Sequence, residues 1–288
     1  MSPGWVKIGI RSAFRPVMKS LKRKILFLIV TYAAAAPGGG VRADPRALEC
    51  GGKRIEAVAA EASATTSLRL ADGSEIKLAS VVGPGAVDGD DAAEARALAA
   101  LKQLSYGKKL VVFAGDDKDR YGRIPARAVL VENNIWLEAS LVEQGLLRVL
   151  PGANEACVRA LLAIEHKARA EHAGLWSNKK FQVMAATDVT ALTDAIGRFV
   201  VVEGVIRRAG ETKPRLYLDF GWRFTEDFTI VVPNPVRNSL VAKGLDPKNW
   251  RGKRVRVRGV LISWGGPAIE INVPAALEFV DSIPEKSE

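Results

Sequence analysis

Between residues 54 and 82, short apolar runs alternate with polar positions. Leu68 and Leu70, then Ile76 and Leu78, each skip one polar residue, and Ala71-Asp72-Gly73-Ser74 stands between the two runs. Such alternation half-buries a strand, and an Asp-Gly pair between two alternating runs predicts a β-hairpin. The Ala- and Leu-rich run 91–106, stopped by Gly107, predicts a helix, and strands follow at 109–114 and 124–131. A helix is expected over 136–144 before Gly145, and a longer one capped by Asn154 runs to Ala173 before Gly174. Residues 179–195 are polar and alanine-rich without a strong period, and part of this stretch is expected to be a linker. Beyond it, strands are expected at 197–208, 215–220 and 228–232, a helix at 236–243, and strands at 253–264 and 268–273. Three strands, a helix and two strands suggest an OB-fold, a rhythm that other small barrels share.

The first 43 residues read differently. Lys19 and Lys22 to Lys24 precede the apolar run Ile25 to Ala36, and small residues lead to Val41-Arg42-Ala43. This order predicts a signal peptide cleaved after Ala43. Met18 begins a more typical signal length than Met1. Twelve apolar residues fall short of the roughly 20 needed to span a bilayer, so no membrane anchor is expected after processing, and the protein is expected in the periplasm or secreted. The formal charge of +10 invites a nucleic-acid reading, but the leader holds eight of the 42 bases and no acid, leaving 34 bases against 32 acids. Two cysteines, Cys50 and Cys157, follow the leader. In an oxidising compartment an even pair predicts a disulfide, closing a loop of about 100 residues worth about 4–5 kcal/mol; two buried thiols are the alternative. With His166 and His172 they show no zinc-ligand spacing.

The most specific stretch is Asp119-Arg120-Tyr121-Gly122-Arg123, then a strand, then Asn133-Asn134-Ile135-Trp136-Leu137-Glu138-Ala139-Ser140-Leu141-Val142-Glu143-Gln144-Gly145-Leu146. With the ending Glu165 to Ala173 and Gly174-Leu175-Trp176, it resembles the staphylococcal nuclease-like (thermonuclease) family over about residues 52–178. The resemblance implies a β-rich α+β fold, an SNase-like OB barrel with helices, here followed by a second small OB-like β-barrel. The expected organisation is a leader over 1–43, a thermonuclease-like domain over 50–178, a linker over 179–195 and an OB-fold-like domain over 196–282. The family hydrolyses nucleic-acid phosphodiesters with calcium, two phosphate arginines, acidic metal ligands and a glutamate as general base. Hard oxygen ligands hold the cation, and donors already in place meet the charge that develops on phosphorus.

Carried over by position, Arg123 stands at the second phosphate arginine and Lys77 at the first. Val82 stands where a metal aspartate is expected, Gly85 at the glutamate, and Ala64-Thr65-Thr66-Ser67 where a further carboxylate belongs. Lysine does not reproduce the bidentate fork of arginine. The expected remnant is a pair of phosphate contacts at Lys77 and Arg123, without a metal site or cofactor; calcium enters only if the site is active. Asp88, Asp90, Asp91 and Glu94 are candidate displaced ligands, or else a solvated loop and helix N-terminus. Arg123 is either a phosphate contact or a structural partner of Asp119 or Asp116. Arg120 and Tyr121 share its turn, with Tyr121 packing or stacking on a base.

In the second domain Arg251, Lys253, Arg254, Arg256 and Arg258 crowd together. Alternation predicts Val255 and Val257 in the core and Arg254, Arg256 and Arg258 as an outward cationic row, either solvated or binding single-stranded nucleic acid. Tyr217, Trp222, Phe228 and Trp264 are candidate stacking faces or core residues. Three functions remain open: an exported nucleic-acid-binding protein with catalysis reduced or lost; an active calcium-dependent endonuclease, a hydrolase with an atypical site; and an envelope structural or protein-binding module. The oligomeric state is not legible.

Overall fold

The first barrel is built from five strands: β1 (Lys53–Ala64), β2 (Ser67–Leu70), β3 (Glu75–Leu78), β5 (Lys109–Ala114) and β6 (Ile124–Leu130). In the computed structural model, which describes residues 51–280 except Ala153 and Phe224, they close in the order β1-β2-β3-β6-β5. All neighbours are antiparallel except β3 and β6, which run parallel. Leu68, Leu70, Ile76 and Leu78 turn inward as their alternation requires and, with Leu110 and Val112, fill the barrel. The hairpin turn closes where Gly73 adopts φ 84°, a conformation that costs a glycine little. The Cys50 half of the expected disulfide and the whole leader lie outside the described residues.

Helix α1 (Asp91–Ser105) crosses between β3 and β5, capped by Asp90, whose carboxylate accepts from Ala93 N. Helix α2 (Leu137–Glu143) and helix α3 (Glu155–Ala170) pack against the barrel. Asn154 caps α3 by accepting from Cys157 N, as its sequence position predicts. A short pair, β4 (Val81–Val82) with β7 (Arg148–Val149), clips the loop after β3 to the segment before α3.

The expected linker is not a free tether. It contains β8 (Met184–Ala185), which pairs with β9 (Phe199–Val205), and α4 (Val189–Asp194), whose Leu192 enters the second core. The remaining strands are β10 (Arg208–Glu211), β11 (Arg215–Asp219), β12 (Thr229–Pro233), β13 (Arg254–Val260), β14 (Ile262–Trp264), β15 (Gly266–Glu270) and β16 (Leu277–Phe279), with α5 (Asn234–Ala242) before β13. They form two sheets, β10-β11-β12-β15-β14 and β16-β13-β9-β8. If β9–β10 and β13–β14 are each followed as one bent strand, the pairing runs first-second-third-fifth-fourth and returns to the first, with third and fifth parallel. That is the order of an OB barrel, with α5 at the place where the first barrel carries α1.

The two halves make one compact unit among the described residues. Arg258 of β13 reaches Glu165 of α3 at 2.6 Å and Glu278 of β16 at 2.7 Å, with both Arg258 and Glu165 fully buried. Arg148 Nη1 donates to Phe199 O at 2.7 Å, and the guanidinium lies 5.0 Å from the Phe181 ring centroid and 5.2 Å from that of Phe199. No helix among the described residues is long and apolar enough to cross a membrane.

Candidate nucleic-acid interface

The turn 119–123 is organised by one carboxylate. Asp119 Oδ1 accepts from the backbone N–H of Tyr121 at 2.9 Å and of Arg123 at 3.0 Å, while Oδ2 accepts from Arg123 Nε at 2.9 Å and Nη2 at 2.7 Å. Gly122 supplies the positive φ that the turn needs. These bonds, the Arg123 side chain first among them, hold the Asp119 carboxyl at about 2. Arg123 Nη1 donates to Ser67 Oγ on β2 at 3.0 Å. The guanidinium is therefore fixed by two partners before any ligand arrives, and of its two candidate structural partners Asp119 is the one engaged.

Lys77 faces the same region. It lies between Ser67 on β2 and Pro125 on β6 and, with Asp119, lines a cavity of about 420 Å³ whose far wall is formed by Leu150, Pro151 and Asn154. Arg120 and Tyr121 stand at the exposed tip of the turn. Tyr121 is not packed into the core; its ring receives the guanidinia of Arg120 and Arg123 at 4.8 and 5.0 Å.

The two segments that hold the positions carried over from the family's metal site approach each other. Leu78 N donates to Thr66 O, and Gly83 lies so close to Thr65 that an added Cβ would meet its Oγ1 at 2.3 Å. Thr65 and Thr66 thus meet the segment that runs on through Val82 to Gly85, and none of these four residues brings a carboxylate. The displaced-ligand alternative also fails for the two best-placed acids. Asp88 is buried, 3.4 Å from Arg198 Nε and 3.6 Å from Arg148 Nη2, and it accepts from Gly85 N. Asp90 is spent on the cap of α1 and on Asn178. Among the described residues no group of three or more His, Cys, Asp or Glu side chains is placed to hold a metal ion. Among the described residues the oxygen donors that a calcium ion requires are not assembled here.

Sequence reasoning missed the floor of the cavity. Glu138, on the first turn of α2, is fully buried and lines it together with Arg127 and Cys157. Burial pushes the Glu138 carboxyl up to about 8, against the opposing pull of the backbone N–H of Ala128 and the charge of Arg127. Arg127 Nη1 donates to Cys157 Sγ at 3.3 Å and the guanidinium lies 4.2 Å above the Phe113 ring. An acid within an otherwise apolar helix face was the available clue.

The cationic row on β13 is overturned. Val255 and Val257 enter the core as expected, but the opposite face meets the first barrel and β9 rather than water. Arg256 is nearly buried and bonds Glu203 at 2.6 Å, Arg258 is consumed by Glu165 and Glu278, and only Arg254 remains exposed, 3.5 Å from Glu203. Phe228 is core, packed 5.2 Å from Phe220, whereas Trp222 is 75% exposed. Tyr217 and Trp264 are partly exposed, and the Arg215 guanidinium lies 5.0 Å from the Trp264 ring centroid.

Residues 76–178 match the family of staphylococcal nuclease homologues. No curated protein matches the chain at a significant level. The match covers the part of the first barrel from β3 onward and α1 to α3, the part that carries Lys77, the 119–123 turn and all of the cavity lining but Gly51 and Gly52, and it supports a nuclease-like, nucleic-acid-related function.

Proposed function

We propose that this is an exported nucleic-acid-binding protein built on a nuclease barrel, with catalysis reduced or lost. The observation that carries the reading is the contrast within one site. Arg123 keeps a preset guanidinium, with Lys77 and the exposed Arg120–Tyr121 tip beside it, while Thr66, Val82 and Gly85 leave the metal corner without a carboxylate. Preset donors favour phosphate binding; without a held cation or a base to activate water, hydrolysis has no driving group.

Plasmid digestion with calcium and with chelator, run beside a binding titration, tests this. Equal and negligible cutting is expected, with binding weakened severalfold by Arg123→Ala and its salt slope reduced by roughly 0.7–0.9. Turnover like an ordinary family member, abolished by Arg123→Ala, would reverse the reading. Failure to retain any nucleic acid at low salt would favour a protein-binding module in the envelope, a function with which the near balance of 34 bases and 32 acids is compatible.

Export rests on the leader over 1–43, and N-terminal sequencing of the exported protein should begin after Ala43. A Cys50–Cys157 disulfide fits the same compartment. Support comes from Gly51, next to Cys50 in the sequence, lining the same cavity as Cys157. Thiol titration should rise by two groups on reduction; equal counts before and after would exclude the bond.

A further inference from the structure

We propose that the groove of the first barrel continues across Leu150 and Pro151 onto the second barrel, and that one single strand of nucleic acid lies along both, its far end stacked on the Arg215–Trp264 pair. This rests on the reading that the first barrel binds nucleic acid, and it adds the second contact and the single-stranded form. A second cavity, of about 380 Å³, lies between the barrels, and Leu150 and Pro151 belong to the walls of both. The two spaces therefore adjoin. From Lys77 and the Arg123 turn, the path leads over these residues to Val260, Ile262 and Glu270.

The chemistry changes along that path. The first barrel offers charge: Lys77, Arg120 and Arg123. The second cavity offers apolar surface from Phe199, Val260 and Ile262, of which Val260 is 49% exposed at the lip. The cation in its wall, Arg258, is already held by Glu165 and Glu278. Apolar surface suits bases that have left a stack, which a duplex does not present. Two residues beyond Ile262 on β14, and hence on the same side of the strand, stands Trp264. Arg215 lies across its ring and is 3.4 Å from Glu270 Oε2, a residue of the cavity wall. Glu270 neutralises Arg215 and helps hold its plane against the indole. The pair thus offers a stacking face, with a third of the Arg215 side chain open.

The sharp consequence is that the two ends of the path should differ in length and salt dependence. Anisotropy titrations of the full chain with oligothymidylates of about 4 and about 16 nucleotides, a range that brackets single-strand site sizes, separate them. Trp264→Ala is expected to weaken the longer strand roughly tenfold with an unchanged salt slope, and to leave the shorter one unaffected. Arg123→Ala is expected to weaken both and to lower the slope. Photocrosslinking of a 5-bromouracil-substituted long strand to the unaltered protein, which does not depend on a variant folding, should label the peptide containing Trp264. If Arg123→Ala weakens both strands while Trp264→Ala weakens neither and crosslinks stay within residues 76–178, the shared groove is wrong and the first-barrel reading stands. If neither strand binds at low salt, the first-barrel reading falls and the groove falls with it.

Discussion

Glu138 and Arg258 are both ionisable groups in the interior, and they make different predictions. Glu138 has an upward-shifted carboxyl at about 8, so the folded state holds a proton that the unfolded chain releases near 4.5. Between those values the folded protein binds more protons, and stability falls as pH rises, at most by about 1.4 kcal/mol per pH unit. Glu138→Gln keeps an acceptor for Ala128 N and should flatten this dependence; urea midpoints from pH 5 to 8 that fall equally in both proteins would refute it. Arg258 is pulled down by burial but held above its usual value by Glu165 and Glu278. Arg258→Met strands two acids, one of them fully buried, and should cost about 3–5 kcal/mol, measured by denaturant unfolding. Asp119 was legible in the sequence as one of two candidate partners of Arg123, beside Asp116, because it lies four residues away in one turn. The partner of Arg258 lies 93 residues away on a helix. Alternation correctly placed Val255 and Val257 inside, but a strand has two faces, and the period says nothing about what covers the second.

At the level of elements, local chemistry was read well where it is self-contained. The Ala71 to Ser74 turn, the Asn154 cap and the glycine stops need only neighbouring residues, and the hairpin, α1, α2 and α3 lie within a few residues of expectation. Asn154→Ala should cost about 1 kcal/mol through the lost bond to Cys157 N, and an unchanged thermal midpoint would show that the α3 cap contributes nothing. The twelve-residue β1 was harder to read, because its alanines and exposed charges give little contrast between faces and its pairing with β5 is long-range. The stretch 179–195 looked like a linker for the same reason. Its β8 has two residues and exists only through pairing with β9, and α4 gains its place by burying Leu192 in the second barrel.

On the scale of the whole molecule, the contacts between barrels turn two OB-like units into one. Arg258 spans from β13 to α3, Arg148 and Arg198 converge on Asp88, and His166 Nε2 lies 2.7 Å from Glu278 Oε2. Burial alone would raise the Glu278 carboxyl; the hydrogen bond with His166 and the charge of Arg258 instead hold it at about 2. A carboxyl depressed in this way contributes stability above its unfolded value near 4.5, and that contribution is lost as pH falls toward 2. Because Glu278 also anchors Arg258, its protonation weakens the joint between the barrels rather than one barrel alone. Urea unfolding at neutral pH should then give one transition, with tryptophan fluorescence and far-ultraviolet circular dichroism superimposing, since Trp136 reports on one half, Trp250 and Trp264 on the other, and Trp176, packed with Val201 of β9, on the joint. Between pH 4.5 and 2 the midpoint should fall, and Glu278→Gln, which keeps the shape but removes the charge, should fall less over that interval. Two separated transitions at neutral pH, or an acid dependence identical in the variant, would mean that the barrels are neighbours whose stabilities are independent and that the buried charges only fill the space between them.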